Sequence, residues 1–234
     1  HRRRVNHVYA IGSHEITVAQ FTRFRRNHQF NRQFSKAPNA PASQIAWYEA
    51  AEFCNWLSRE EGLPQEQWCY DPGQRFVSGM RLRANYLQLA GYRLPTEVER
   101  EYACRSGTTT SRFYGSGESL LVDYAWYTKN SGDACMLPVG TQVPNSYGLF
   151  GMYGNVNEWC QTFAFYFPRE KEFLQEGHKL EAYEVSDTSN KMLRGGAFFH
   201  DASSMRSANR DFDRPFSRDG NYGFRVSRTY PLLP

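Results

Sequence analysis

The chain has 234 residues, 16% of them aromatic and 22% charged, with a formal net charge of +4 and a mean hydropathy of −0.69. That length supports a core without a disulfide or metal staple, and no apolar run is long enough to cross a bilayer or to form a signal-peptide core. Much of the positive charge sits in Arg2, Arg3, Arg4, Arg23, Arg25, Arg26 and Arg32; without a helix-and-aromatic nucleic-acid signature it reads as a solvated end or linker, and no nucleic-acid partner is expected.

Residues 1–4 read as a basic tail, and a first residue that is not Met leaves an upstream segment and the compartment open. Val8 to Ile11 predicts a short strand ended by Gly12. Thr17 with Gln20 reads as a capping box opening a helix with Val18, Phe21 and Phe24 at helical spacing. A polar, Pro-punctuated loop follows to about Ser43. A second helix is expected from about Ala46 to Glu61, with Trp47, Ala50, Ala51, Cys54 and Leu57 on one face and Gly62 and Pro64 as its stop. Residues 63–91 show little regularity.

Thr96 and Glu99 form a second capping box for a helix reaching Arg105 before Gly107. Beyond it no helix is evident, and short apolar runs such as Leu149-Phe150 and Phe224-Arg225-Val226 predict short strands between long ordered loops. Early helices followed by an irregular β-rich half give an α+β fold in one domain, residues 5–230, with 231–234 as a tail. Cys54, Cys69, Cys104, Cys135 and Cys160 are an odd number at wide gaps with no C-x-x-C pair, so buried reduced thiols are expected rather than a zinc site. No G-x-S-x-G elbow supports serine-type hydrolysis. Asp211, Asp213 and Asp219 mimic part of a calcium loop, but Phe216 and Tyr222 stand where it needs Gly and Glu.

Three ordered segments carry a resemblance. The run from Gly91 through Leu94-Pro95-Thr96-Glu97 to Ala103, the run Gly148 to Trp159 containing Gly154-Asn-Val-Asn-Glu-Trp159, and Leu193-Arg-Gly-Gly196 with Arg206 to Arg210 and Gly223-Phe-Arg-Val226 resemble the formylglycine-generating-enzyme (sulfatase-modifying factor) family. The resemblance covers roughly residues 5–230. It implies a C-type-lectin-like α+β fold low in regular structure, and in the best-known members a copper ion on two cysteines that oxidises a substrate cysteine. The positions matching those cysteines hold His200 and Met205, and two further matched positions hold Ala197 and Asn157. A soft cuprous ion prefers thiolate, so copper is not expected and catalysis of the family's kind is disfavoured. The resemblance also implies a calcium ion on the carbonyls of Gly154 and Val156 and the carboxylate of Glu158, weakened because Gly151 replaces an Asp or Asn ligand; a second calcium near Asn130 and Ser131 is a fainter expectation.

The last forty residues mix scaffold with a different chemistry. Phe198, Phe199, His200, Asp201, Ser203, Ser204, Asp211, Phe212, Asp213, Phe216, Asp219, Asn221 and Tyr222 are aromatic or small and polar, the composition of adaptable binding loops. They are expected to take a protein or peptide ligand, with Phe198, Phe199, Phe212 and Tyr222 exposed on one face and Arg206, Arg210, Arg214 and Arg218 partly paired with the nearby aspartates. The pattern is similar to the variable region of proteins diversified by retroelements on this fold. An oxidoreductase with altered ligands and an accessory module of a larger signalling protein remain the alternatives.

Overall fold

The computed structural model describes residues 3–132, 134–164 and 184–230. Strand β1 (Tyr9–Ile11) leads into helix α1 (Val18–Phe24). Thr17 opens that helix as predicted: its Oγ1 accepts the Gln20 N–H at 3.2 Å while Gln20 Oε1 accepts the Thr17 N–H at 2.9 Å, satisfying two otherwise orphaned donors. Helix α2 (Trp47–Glu60) starts on Ala46, which has no side chain to cap with. Glu49 compensates by accepting the Ala46 N–H at 2.9 Å. Trp47, Ala50, Ala51 and Cys54 are fully buried along the predicted face, and Gly62 at φ +73° takes the left-handed turn that ends the helix.

Residues 63–91 hold two 3-10 turns, Gln65–Gln67 and Tyr86–Gln88, around strand β2 (Met80–Arg81). Strand β3 (Tyr92–Arg93) precedes helix α3 (Glu97–Arg105), whose Thr96–Glu99 capping box is complete. Ser106, not Gly107, takes the first left-handed position after it, at φ +42°. A four-residue helix α4 (Leu121–Tyr124), too short for a periodic signal, precedes strands β4 (Ala125–Trp126), β5 (Tyr153–Gly154) and β6 (Asn157–Phe163). Strands β7 (Glu184–Val185), β8 (Lys191–Arg194), β9 (Asp211–Asp213), β10 (Tyr222–Gly223) and β11 (Ser227–Thr229) complete the order.

Two expected strands are not strands. Leu149-Phe150 lies in a loop, and Phe224 to Val226 is the link between β10 and β11. Those residues are apolar because they pack, not because they pair: Phe224 meets Phe21 and Phe53 edge-on at 6.1 and 5.3 Å between ring centres.

The central sheet has the order β10-β6-β8-β9, and a second sheet runs β1-β11-β3. Within the first, β10 is parallel to β6 and the other pairs are antiparallel. Helix α2 seals one side, where Trp47 Nε1–H donates to the Cys160 carbonyl at 2.9 Å and Trp159 Nε1–H reaches back to Ile45 O at 2.7 Å. Each indole so buries its ring without leaving a donor unpaired. The result is a mixed α+β fold, low in regular structure, in which the C-terminal strands β8, β9 and β10 join β6 in the central sheet. All five cysteines are free and buried, as expected.

Candidate functional site: the C-terminal loops and the charges behind them

The segment after β8 turns at Gly195 and Gly196, both at positive φ. A side chain on Gly196 would meet Met205 Cε at 2.8 Å, so the glycine lets the thioether pack beneath the turn. Met205 is fully buried, as expected. His200 is half-buried rather than exposed. Its Nδ1 accepts the Ala197 N–H at 3.2 Å, which leaves the proton of the neutral ring on Nε2. Burial lowers its pKa, and Asp211 and Asp201 act the other way.

The four aromatics expected on the surface divide. Phe199 and Phe212 are 47% and 42% exposed, and Phe216 joins them at 43%. Phe198 and Tyr222 are buried, contrary to expectation. Phe198 fills a small cluster with Met136 and Val156 and lies 5.3 Å from Phe34. Tyr222 stands edge-on to Trp159 at 5.1 Å while its hydroxyl donates to Asp213 at 3.0 Å. Asn221 is also buried. These three residues support the loops from below. Phe199 rests on Phe198 and His200 at 5.0 and 4.6 Å between ring centres, so an exposed ring sits on a fixed base.

Asp201, Ser203, Asp211 and Asp219 are exposed, and Ser204 and Asp213 are half-buried. Asp201 and Ser203 border a cleft of about 470 Å³ shared with Glu118, Tyr127 and Lys129. The arginines are anchored differently from expectation. Arg218 pairs with Glu49 at 2.8 Å and Arg210 pairs with Glu97, while Arg206 donates to Ser203 O at 2.6 Å and Arg214 lies over the Phe216 ring. Carboxylates on α2 and α3 thus take the role assigned to the loop aspartates.

The calcium expectation meets a different charge arrangement. Glu158 is fully buried, and its carboxylate receives Arg100 at 2.9 and 3.1 Å and Arg225 at 2.7 and 2.8 Å. Burial alone would raise its pKa, but Arg100 and Arg225 outweigh it and hold the carboxyl below its ordinary range. Arg225 also takes the carbonyls of Gly12, Phe150 and Gly151. A side chain at Gly151 would lie 2.3 Å from Glu15 Oε1, so the position of the absent ligand is filled from another segment. Two guanidinium charges beside Glu158 would repel a dication and already take both of its carboxylate oxygens, whereas the two Glu15 oxygens beside Gly151 have no hydrogen-bond partner among the described residues. At the second expected position, Asn130 Oδ1 accepts the Tyr127 N–H and its amide donates to Val122 and Ala125 carbonyls.

Sequence reasoning placed Arg225 in the scaffold and missed Arg100 and Glu15 as members of this cluster. The signal the sequence offered was an arginine between apolar residues at Phe224-Arg-Val226.

Comparison with known proteins agrees with this fold. A "Chaperone protein LppX" of Paenibacillus barcinonensis is 30% identical over 94% of the chain and 80% of its own length. The formylglycine-generating enzyme of Streptomyces coelicolor is 27% identical over 89% of the chain, which spans 59% of that enzyme's length. Among solved structures, Treponema denticola variable protein 1 superimposes with a TM-score of 0.79 and 27% identity, covering 94% of this chain and 84% of that one. CarF shares the fold at a TM-score of 0.65 and 22% identity, over 95% of this chain and 86% of its own. The profile of the sulfatase-modifying factor enzyme 1-like domain matches residues 1–230. The chain therefore belongs to the sulfatase-modifying factor family, that of the formylglycine-generating enzymes.

Proposed function

We propose that the protein is a ligand-binding member of this family, which holds a protein or peptide at its C-terminal loops and does not use the family's copper chemistry. The observation that carries this reading is the division of the loop aromatics. Phe199, Phe212 and Phe216 are exposed while Phe198 and Tyr222 beneath them are packed. Folding gains little from three exposed rings, whereas a partner that covers them gains ~2 kcal/mol or more per anchor. Phe199 is held against the packed Phe198 and against His200, which limits the loop entropy lost there on binding. The likeness to a variable protein at a TM-score of 0.79 supports the same use of the fold, and the alternating fixed and exposed positions suit diversification by a retroelement.

Selection of a random peptide library on the purified protein tests the reading. Enriched peptides should bind, and Phe199→Ser with Phe212→Ser should weaken them about tenfold or more at unchanged stability. Absence of enrichment, or equal binding by the folded double variant, overturns it. A reverse transcriptase gene nearby, with a near-copy of the 3′ coding segment, would establish the diversified form. Copper(I) reconstitution should yield no oxygen consumption with a cysteine peptide, since His200 and Met205 replace the thiolates.

A further inference from the structure

We propose that a second cleft, which Phe199 and Phe212 do not line, is a binding site for an oxyanion, either a carboxylate or a phosphate group. The cleft has a volume of about 600 Å³ and is lined by Arg25, Arg26, His28, Gln44, Glu49 and Arg218, among others. Its single lining carboxylate is already used. Glu49 takes Arg25 on one oxygen, and Arg218 at 2.8 Å and the Ala46 N–H on the other. Arg25 also reaches Glu52.

Glu49 is nearly buried, at 8% side-chain exposure, so it acts as a fixed post that positions two guanidinium groups. Among the described residues only the Nε of Arg218 is occupied, and half of that side chain faces solvent. Arg26 and the Gln44 amide make no hydrogen bond among the described residues. Three guanidinium groups against two carboxylates, Glu49 and Glu52, leave one positive charge in excess and unused fork-shaped donors on Arg26 and Arg218, a combination that matches planar or tetrahedral oxyanions.

The backbone supports the same reading. Gln44 has φ +56°, a left-handed conformation uncommon for a residue with a side chain. It is tied to the C-terminal loop by its N–H to the Asp219 carbonyl at 3.2 Å. Strain kept at a cleft wall, where a glycine would remove it, is a mark of a functional position. Burial lowers the His28 pKa, against the Ser43 carbonyl and Glu49, and its ring nitrogen Nε2 lies 3.1 Å from that carbonyl.

Calorimetric titration of the intact protein with inorganic phosphate and, separately, with succinate tests the proposal. Saturable binding of at least one anion is expected, weakened by added sodium chloride. Binding should fall about tenfold or more in Arg26→Gln combined with Arg218→Gln. Arg26→Gln alone removes no contact within the chain and decides the matter if the double variant fails to fold. Phosphate-only or succinate-only binding identifies the ligand chemistry. Binding of neither, or unchanged binding by folded Arg26→Gln, overturns the proposal. Phe199→Ser should leave anion binding intact, which keeps the outcome separate from that of the loop reading.

Discussion

Glu15 is the residue whose environment departs furthest from its chemistry. Its carboxylate is fully buried, neither oxygen has a hydrogen-bond partner, and the nearest guanidinium, Arg225, lies 4.0 Å away. Burial pushes its pKa up to about 7, with Arg225 opposing and Glu158 adding to the rise. A raised acid pKa means that the folded state keeps a proton the unfolded state has lost. Stability should therefore fall as pH rises from about 4.5 towards 7, by up to ~3 kcal/mol, and level off above. Glu15→Gln should flatten that slope, as read from urea unfolding across the window. Glu158 behaves with opposite sign, since its carboxyl is held below the ordinary range. Its contribution is lost as pH falls through that lowered value. Replacing Arg225 by Met leaves Glu158 with half its partners and should cost ~3–5 kcal/mol by the same unfolding measurement. None of this was legible in the sequence. Arg100 and Arg225 lie 58 and 67 residues from Glu158 along the chain, and no local rule relates positions so distant. The burial of Phe198 and Tyr222 was hidden for the same reason, because Phe34 and Trp159, which cover them, come from other segments.

Elements defined by neighbours in sequence were read well. Both capping boxes form as expected because each needs only four consecutive residues. Thr96→Ala should lower stability by ~1 kcal/mol, seen as a drop in the thermal midpoint, since it frees the buried Glu99 N–H that Thr96 Oγ1 accepts at 3.2 Å. The cost should exceed that of Thr17→Ala, whose helix end is exposed. Helix α2 shows the limit of the method. Its apolar face was visible, but its start depends on Glu49, a residue that also holds Arg25 and Arg218. Strands fared worse. Most are two or three residues long, and at that length the alternation of faces has no room to declare itself.

At the scale of the molecule, two features hold the described residues together without a disulfide. One is the buried ion-pair system in which Glu158 joins α3, β6 and the link before β11. Since that system occupies the place expected for calcium, chelation with EDTA should leave the thermal midpoint unchanged; a drop of several degrees on chelation, restored by calcium, would contradict this. The other is the apolar packing, in separate clusters, that encloses Cys54 and Cys69 in one and Cys104 in another. Burial raises the thiols of Cys69 and Cys160 to about 12, which suppresses the reactive thiolate. Iodoacetamide should leave all five cysteines unmodified in the native protein and label them once guanidinium unfolds it, as counted by intact mass. Family membership was legible at this scale because motif order survives where individual ligands have changed.

Among the described residues, strand β9 lies at the margin of its sheet and is bonded to β8 alone. A bare margin of this kind invites another chain to add a strand. Here Asp211 accepts the N–H of Phe212 at 2.8 Å and Asp213 that of Arg214 at 2.7 Å. Each aspartate thus ties up the next main-chain donor with its own carboxylate and sets a negative charge beside the exposed ring. The same short stretch can carry a sticky aromatic and still resist stacking into fibrils. Sequence change at Phe212 is then far safer than change at its two neighbours, and a version lacking both acids should precipitate on standing where the parent stays clear.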